Sequence, residues 1–305
     1  MKFNKTLQSL ALALALAGAP LAHAGKGLAP QQVFAAPEEA ARALADALRN
    51  HDHPAILAVV GAGAGRWLFS GDPVADRAEG EKFLAAYDRQ HAVKPLADDR
   101  AQLLVGDDDW PFPAPLVRKG NGWVFDTAAG KEEITNRRIG RNELDTIQTL
   151  LAIVDAQREY AASDPDGNGL PDYARRFQAQ EGKRDGLYWP TAGGEKPSPL
   201  GPLIAQATRE GYSKADAGYH GYRYRILTGQ GPAAPGGKYD YLVGDKLLGG
   251  FAILAYPVKY GVSGIMSFMV SHDGTVYEKS LGKQTATKAE RITRFDPDAS
   301  WRKSP

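Results

Sequence analysis

Helical patterns followed by β-type runs occur twice along the chain, and this order limits the possible folds more than any single motif does. Helical stretches near residues 37–60 and 79–90 precede short β-type runs between residues 101 and 125. A long helical pattern over residues 131–162 then precedes further β-type runs from residue 222 onward. Elements segregated in this way are typical of α+β folds. The sequence therefore predicts two α+β domains, residues 25–130 and 131–305.

The first predicted domain places helices before strands. Ala40, Leu44, Ala47 and Leu48 recur at helical spacing after Pro37 and form one apolar face. The order of elements resembles the nuclear-transport-factor type of roll, in which a curved antiparallel sheet packs on helices and leaves a cone-shaped concavity. Three large aromatic residues lie in or beside that sheet, where they serve either core packing or a ligand pocket: Trp110, Phe112 and Trp123.

The second predicted domain is a long helix on an antiparallel β-meander. We expect Leu144, Ile147, Leu151 and Val154 to share one side of the helix. Asp273-Gly274 predicts a tight hairpin between the last two strands, because glycine readily adopts the positive φ of a type I′ turn. A loop-rich stretch over residues 163–218 separates the helix from the strands. The predicted strands are residues 222–228, 251–258, 264–270 and 275–279.

The N-terminus has the pattern of a secretory signal peptide. Lys2 and Lys5 precede the apolar stretch from Leu10 to Ala19, and Ala22-His23-Ala24 forms an A-x-A cleavage site. The apolar stretch is about ten residues long, whereas a membrane-spanning helix needs about 20. The sequence therefore predicts a signal peptide over residues 1–24 and a soluble, periplasmic or secreted mature protein with no membrane span.

The composition excludes several classes of function. The chain contains no cysteine, so it has neither disulfides nor a cysteine nucleophile. Lysine and arginine total 37 against 36 aspartate and glutamate. Such a balanced charge gives no electrostatic basis for binding nucleic acid. The sequence contains no G-x-S-x-G pattern of a serine hydrolase either.

Three separated motifs resemble one known family. The chain is similar to the bacterial exported proteins grouped as domain-of-unknown-function family 2950 over nearly its whole mature length. That resemblance implies export and assigns no enzymatic activity. The motifs are residues 110–117 (WPFPAPLV), residues 136–144 (NRRIGRNEL) and residues 184–190 (RDGLYWP).

The second half also resembles the globular heads of type IV pilins and pseudopilins. The likeness rests on the order of a helix ending in residues 156–160 (AQREY), the run at residues 221–224 (GYRY), Tyr256-Pro257 and the run at residues 268–277. It implies a helix packed on a meander. Pilins carry a hydrophobic N-terminal stem and a prepilin cleavage site, and neither pattern occurs here, so the resemblance extends to the head fold and not to filament assembly.

One loop has the spacing of a calcium site. In residues 164–172, oxygen-bearing side chains occupy the first, third and fifth positions, and a glycine stands at the sixth, as in an EF-hand loop. Arg175 occupies the twelfth position, where an EF-hand has glutamate, so we expect at most a partial site, with Asp185 or another distant residue completing it. The alternative is an ordinary Asp/Asn/Gly turn. The candidate ligands are Asp164, Asp166, Asn168, Leu170 through its carbonyl group, and Asp172.

Weaker patterns each leave two interpretations. His51 and His53 are either zinc or copper ligands or residues of a helix end. Ser70 is either a nucleophile or part of a turn. The run from Gly61 to Gly65 lacks the lysine of a phosphate loop, and we expect it to be a flexible turn.

An arginine-rich segment precedes the long helix. Its cations lie among Glu132, Glu133 and Glu143, so it forms either an anion or partner contact or an ion-pair network. The arginines are Arg137, Arg138 and Arg141.

These patterns favour a non-catalytic binding or assembly factor of the cell envelope. Its partner would be another exported protein, bound in the cleft between the domains or at the aromatic loop around Tyr188-Trp189. The alternative is a hydrolase of cell-wall or extracellular polymer with a pair of acids in the second domain.

Overall fold

The computed structural model of the protein describes residues 30–212 and 218–304. The predicted signal peptide lies outside these residues. The helices are α1 (Pro37–Arg49), α2 (His53–Val60), α3 (Gly65–Leu68), α4 (Pro73–Arg89), α5 (Thr127–Ser163), α6 (Gly201–Glu210) and α7 (Thr285–Arg291). The strands are β1 (His91–Ala97), β2 (Arg100–Val105), β3 (Trp110–Pro111), β4 (Leu116–Lys119), β5 (Gly122–Phe125), β6 (Tyr222–Leu227), β7 (Gly229–Gln230), β8 (Tyr239–Asp240), β9 (Leu242–Val243), β10 (Lys246–Leu247), β11 (Ala252–Pro257), β12 (Met266–Ser271), β13 (Val276–Ser280) and β14 (Arg302–Lys303).

The first half packs helices on an antiparallel sheet. The sheet order is β1-β2-β4-β5, and β3 pairs with β2. Helix α1 begins at Pro37, which tolerates the first helical turn because its missing N–H has no partner there. Its apolar face, including Leu44, packs with Ile56 of α2 and Leu103 of β2 in one buried cluster. Helices and antiparallel sheets thus occupy separate segments of the chain, and the predicted α+β class is confirmed.

The glycine-rich run after α2 is more ordered than we expected. Gly61 has a φ of 92°, which only glycine adopts without strain, and it ends α2. A 3₁₀ turn over Ala62–Ala64 and helix α3 follow directly. The run therefore redirects the chain between two short helices.

Helix α5 belongs to both halves of the molecule. Near its N-terminus Ile134 packs against the first buried cluster, and farther along Leu150, Ile153 and Tyr160 belong to a second one. The helix begins at Thr127, four residues before the predicted start, because Asp126 caps it by accepting a hydrogen bond from the Ala129 N–H at 3.1 Å.

The second half centres on an antiparallel sheet of order β14-β13-β12-β11-β6. The hydroxyl group of Tyr224 in β6 lies 3.4 Å from Thr146 Oγ1 of α5, whereas Arg225 donates to main-chain carbonyls at the end of α7. Consecutive side chains of a strand point to opposite faces, so α5 and α7 lie on opposite sides of the sheet. The sequence did not predict α7.

The hairpin at Asp273-Gly274 is confirmed, but its turn is not of type I′, because Asp273 lacks a positive φ and five residues, 271–275, join the first paired positions. Strands β12 and β13 pair in antiparallel fashion from Val270 and Val276 outward. Gly274 has a φ of 84°, and the Thr275 N–H donates to the Asp273 carboxylate at 2.8 Å. The two residues therefore supply both the backbone conformation and the hydrogen bond that reverse the chain.

The buried face of α5 differs from the predicted one. Leu144 is 67% exposed, so its placement on the apolar side was wrong. Polar side chains take up part of the interface instead: Asn142 Nδ2 donates to the Ser263 carbonyl at 2.9 Å, and Gln157 makes two hydrogen bonds to the main chain of Ala174. Such satisfied amides are readily buried, and a pattern based on hydrophobicity overlooks them.

Helix α6 was also missed, because it lies within residues 163–218, for which the sequence predicted a loop-rich stretch. Among the described helices, none is both long enough and apolar enough to cross a bilayer.

Candidate functional site

An apolar cavity of about 460 Å³ opens in the first half of the molecule. Its interior wall includes Leu44 from α1, Ile56 from α2 and Val105 from β2, each at most 5% exposed. Trp110 and Phe112 line it as well, whereas Trp123 is buried in the core beneath the guanidinium group of Arg118. The structure thus separates the three aromatic residues that the sequence grouped.

The arginine-rich segment of α5 forms one side of the cavity mouth. Arg137 forms an ion pair with Glu133 at 2.5 Å and lies 4.8 Å from the ring centre of Trp110. Arg141 pairs with Glu79 of α4. The segment therefore forms ion pairs, as one of the two interpretations predicts, and it also borders the cavity, while an anion or partner contact stays a prediction.

Arg138 and Asp76 are the half-buried charges of the cavity. Arg138 donates from its two terminal nitrogens to the carbonyls of Trp67 and Leu68, at 2.7 and 2.6 Å. Burial lowers the pKa of Arg138 and raises the pKa of Asp76 above its ordinary value. The Ser70 N–H and the charge of Arg138 oppose the rise for Asp76 without cancelling it. These charges are held in place by the main chain.

A second recess, the tyrosine groove, lies in the other half and has a volume of about 920 Å³. Side chains of α5, α6, β6 and the aromatic loop form its walls. No carboxylate occurs among the described residues that line it. Trp189 of the same loop is absent from the lining and stacks with Arg184. The five tyrosines that line the groove are Tyr188, Tyr212, Tyr219, Tyr224 and Tyr256.

A buried carboxylate connects the groove to the first half. Asp72 caps α4 by accepting hydrogen bonds through Oδ1 from the Val74 and Ala75 N–H groups. Its Oδ2 accepts from the hydroxyl group of Tyr212 at 2.8 Å and from the Gly221 N–H at 3.0 Å. Burial raises the pKa of Tyr212, and the hydrogen bond to Asp72 raises it further, so its hydroxyl group stays a donor.

The predicted calcium loop is held together by a lysine. Asn168 Nδ2 donates to Asp166 Oδ1 and Asp172 Oδ1, at 2.6 and 2.9 Å. Lys246 Nζ lies 2.9 Å from Asp166 Oδ2 and 3.7 Å from Asp172 Oδ2. Burial alone would raise the pKa of Asp166, but the hydrogen bonds from Lys246 and Asn168 outweigh it and hold that pKa below its ordinary value.

The remaining predicted ligands lie around or away from this pair of acids. Asp164 Oδ1 and Oδ2 accept from the Asn168 and Gly169 N–H groups, and Asn168 Oδ1 accepts from the Leu170 N–H in an Asx-turn. Leu170 is 41% exposed, and Asp185 accepts from the Gln180 N–H. Within the described ranges, no three His, Asp or Glu side chains gather in a metal-ligating arrangement. Calcium binding stays a prediction.

The weaker candidates occupy structural positions. His53 stacks on Phe69 with ring centres 4.7 Å apart, and His51 has a φ of 50° in the turn before α2. Ser70 Oγ is buried and accepts from the Asp72 N–H at 3.0 Å. This contact holds the turn before α4, as the turn interpretation of Ser70 requires.

Three residues of these sites escaped the sequence patterns. Tyr212 and Lys246 act on acids more than 70 positions away, and no local spacing reveals such pairs. Gly80 lines the cavity from the middle of α4. Glycine is unfavourable within a helix, and this was the one signal in the sequence that could have revealed the position.

Comparison with known proteins adds the family. A family model described as a protein of unknown function (DUF2950) matches residues 31–304. No curated protein and no solved structure matches the chain, so its likeness to pilin heads stays a prediction. The match extends over both halves, the apolar cavity and the tyrosine groove alike, and the chain therefore belongs to domain-of-unknown-function family 2950.

Proposed function

We propose that this is an exported, non-catalytic binding protein that holds an extended segment of another envelope protein in the tyrosine groove. The observation that carries the proposal is the position of the groove along an unpaired strand edge. Arg223, Tyr224 and Arg225 are consecutive in β6, yet all three line the groove. Alternate side chains leave a sheet on opposite faces, so a recess lined by all three runs along the edge itself.

The main chain of β6 presents hydrogen-bonding groups to that edge. The Val258 N–H donates to the Gly221 carbonyl, and the same register places Arg223 opposite Tyr256. Hydrogen-bonded and non-hydrogen-bonded pairs alternate in antiparallel strands, so the main-chain groups of Tyr224 and Ile226 point away from β11. No described residue pairs with these groups. An added strand satisfies them, which is the usual mode of β-augmentation.

The side chains around the edge suit recognition of a polypeptide. Tyrosine and arginine dominate binding energy at protein interfaces, because they combine a large apolar surface with hydrogen-bonding tips. Arg223 is exposed and has no carboxylate beside it in the lining, whereas the guanidinium group of Arg225 donates to main-chain carbonyls at the end of α7. A segment with acidic side chains therefore complements the groove.

The two acids around His220 do not form a hydrolytic pair. Asp145 and Glu210 lie on either side of His220, at 3.6 and 3.7 Å from its ring nitrogens. The imidazole ring occupies the space between the two carboxylates, where a glycosidic oxygen and a water molecule would need to fit. This arrangement favours binding over the alternative hydrolase, which stays a prediction.

The proposal that the protein is exported rests on its N-terminal sequence alone. Mass spectrometry of the protein isolated from its own cells should find Gly25 as the first residue. A folded protein that retains residues 1–24 would contradict export.

Crosslinking from the groove tests the binding part. A photoreactive residue at Thr208, in the groove wall, should capture a defined partner segment in living cells, whereas one at Ala205, on the outer side of α6, should not. A synthetic peptide of the captured segment should bind the wild type and lose binding with Ala207→Trp, which fills the groove. Ala205→Trp is the matched control. Equal binding by both variants, or equal capture from both positions, would contradict the proposal.

A further inference from the structure

We infer that the apolar cavity of the first half is a separate binding site for a small amphipathic anion, a molecule with an apolar tail and a single negatively charged head. The cavity does not touch the tyrosine groove and is independent of the function proposed above. Three observations carry the inference: the apolar interior wall, a glycine that leaves room in the cavity, and the excess of cations at the mouth.

The interior wall suits an apolar tail. Leu44, Ile56 and Val105 are almost fully buried, and Phe83 and Ile134 continue the wall toward the opening. A volume of about 460 Å³ lies in the range of small-molecule sites. Unfilled apolar space forfeits packing contacts, and an apolar tail restores them.

Gly80 keeps this space open. It lies in the middle of α4 with ordinary helical geometry, where glycine costs stability relative to alanine. A Cβ atom at this position would meet only Leu48 Cδ2, at an ordinary contact distance of 3.5 Å. Neither backbone conformation nor close packing therefore requires glycine here. A longer side chain would extend into the cavity, so the absent side chain preserves its volume.

The charged side chains at the mouth of the cavity favour a ligand with a negatively charged head. Four cations stand there: Lys82, Arg137, Arg138 and Arg141. Asp76 and Glu79 are the acids of the lining, and Glu133 pairs with Arg137 from outside it.

The acids at the mouth are too few to pair with all of its cations. Lys82 Nζ and Arg141 Nη1 both contact the same oxygen, Glu79 Oε1. Arg138 directs two donors to main-chain carbonyls. Four cations against three carboxylates leave one positive charge in excess, and arginine binds carboxylate, sulfonate or phosphate groups well.

Calorimetry with three amphiphiles of one tail length tests the inference. Decanoate, decanol and decyltrimethylammonium are titrated into the purified protein below their micelle-forming concentrations. We expect decanoate to bind at least about tenfold more tightly than either of the others, because only its head complements the mouth. Equal affinity for all three, or no binding of decanoate, would overturn the inference.

Two matched substitutions locate the site. Gly80→Leu should weaken decanoate binding at least about tenfold, whereas Gly140→Leu, at an exposed glycine of α5 with nothing near its Cβ, should leave it unchanged. Arg141→Gln should weaken decanoate binding and not decanol binding. Thermal melts of each variant show that it is folded. Full affinity in folded Gly80→Leu places the ligand elsewhere and refutes the assigned site.

Discussion

The apolar cavity and the tyrosine groove differ in how their walls are supported. The cavity wall consists of side chains that belong to the core, such as Leu44 and Val105, which are 3% and 2% exposed. One wall of the groove is α6, which has no buried residue at all. Core side chains are close-packed and keep their shape, whereas an element with few buried contacts opens easily. We therefore expect the wall of the cavity to be rigid and that of the groove to be adjustable.

This difference suits the two kinds of ligand that we propose. A preformed apolar recess discriminates by size and head charge, which suits a small amphiphile. A groove with one loosely held wall and a free strand edge accepts segments of varied sequence, because main-chain hydrogen bonds supply much of the affinity. The predictions below test whether the two regions are as distinct as this contrast implies.

The largest expected effect comes from Asp72, which links α4 of the first half to Tyr212 of the groove. Asp72→Ala removes the cap of α4 and leaves Tyr212 and the Gly221 N–H without their acceptor. We expect a loss of about 3 kcal/mol in the free energy of unfolding, from a lost cap together with unsatisfied buried donors. Urea denaturation measures it.

Asp52 provides the control for Asp72. Asp52→Ala removes a cap with one hydrogen bond, to the Ala55 N–H at the exposed start of α2, and should cost about 1 kcal/mol. Equal losses for the two variants would show that the contacts of Asp72 with the second half contribute nothing to stability.

Lys246 comes next and affects the second half alone. Lys246→Met leaves Asp166 and the buried Asp172 without their cation, and we expect a loss of about 2 kcal/mol. Lys82→Met, at an ion pair on the cavity mouth whose lysine side chain is 70% exposed, should change stability by less than about 0.5 kcal/mol. A larger effect at Lys82 than at Lys246 would contradict the expectation that a buried acid depends on its cation more than an exposed acid does.

The Lys246 effect should depend on pH. The folded-state pKa of Asp166 lies below its ordinary value, so its contribution to stability is complete above the unfolded pKa of about 3.9 and is lost as the pH falls through the folded value. The difference between Lys246→Met and the wild type should therefore shrink below about pH 4. A constant difference down to strongly acidic pH would exclude Asp166 as the cause.

Calcium tests the loop prediction on the same two proteins. Calcium would use the carboxylate oxygens that Lys246 contacts, so the ammonium group and the ion compete. We expect millimolar calcium to raise the melting temperature of Lys246→Met more than that of the wild type, as measured by calorimetry. No change in either protein would end the calcium hypothesis.

Substitution of Gly80 should have a smaller effect on the free energy of unfolding, and it should increase it. Gly80→Ala is expected to stabilise the protein by about 0.5–1 kcal/mol, because alanine favours the helix and its Cβ meets only Leu48. Gly140→Ala should give a similar gain at an exposed position. A loss of stability at Gly80 alone would mean that close packing requires the glycine.

The smallest free energies that we predict are those of local opening at α6, which hydrogen exchange measures. We expect the amides of Gly201–Glu210 to exchange well before those of Pro37–Arg49, because α1 buries Ala40, Ala41 and Leu44 while α6 buries nothing. Exchange measured by mass spectrometry makes the comparison within one sample. Equal protection of the two helices would remove the distinction between preformed and adjustable walls.

Local patterns predicted the elements whose signals lie close together in the chain. Pro37 and the spacing to Leu44 predicted α1, and Asp273-Gly274 predicted the hairpin of β12 and β13. The sequence missed the first six residues of α4, although Asp72 and Pro73 are a cap and a favoured first residue. Neither interpretation of Ser70, as a nucleophile or as part of a turn, recognised Asp72 as the cap of a helix.

The sites themselves could be predicted only in part. The arginines of residues 137–141 were recognised, but their position beside a cavity depends on α1, α2 and β2, which lie far away in the sequence. The calcium spacing was visible, whereas Lys246, which contacts two of its acids, lies more than 70 residues further on. Burial of Asn142 and exposure of Leu144 reverse what hydrophobicity alone suggests.

Helix α5 sets the distance between the two recesses. Ile134 borders the cavity and Ile153 borders the groove, and one unbroken helix joins them. With a rise of 1.5 Å per residue, these positions lie about 28 Å apart along the axis. A lipid-like molecule and a bound polypeptide would thus be presented at one fixed spacing.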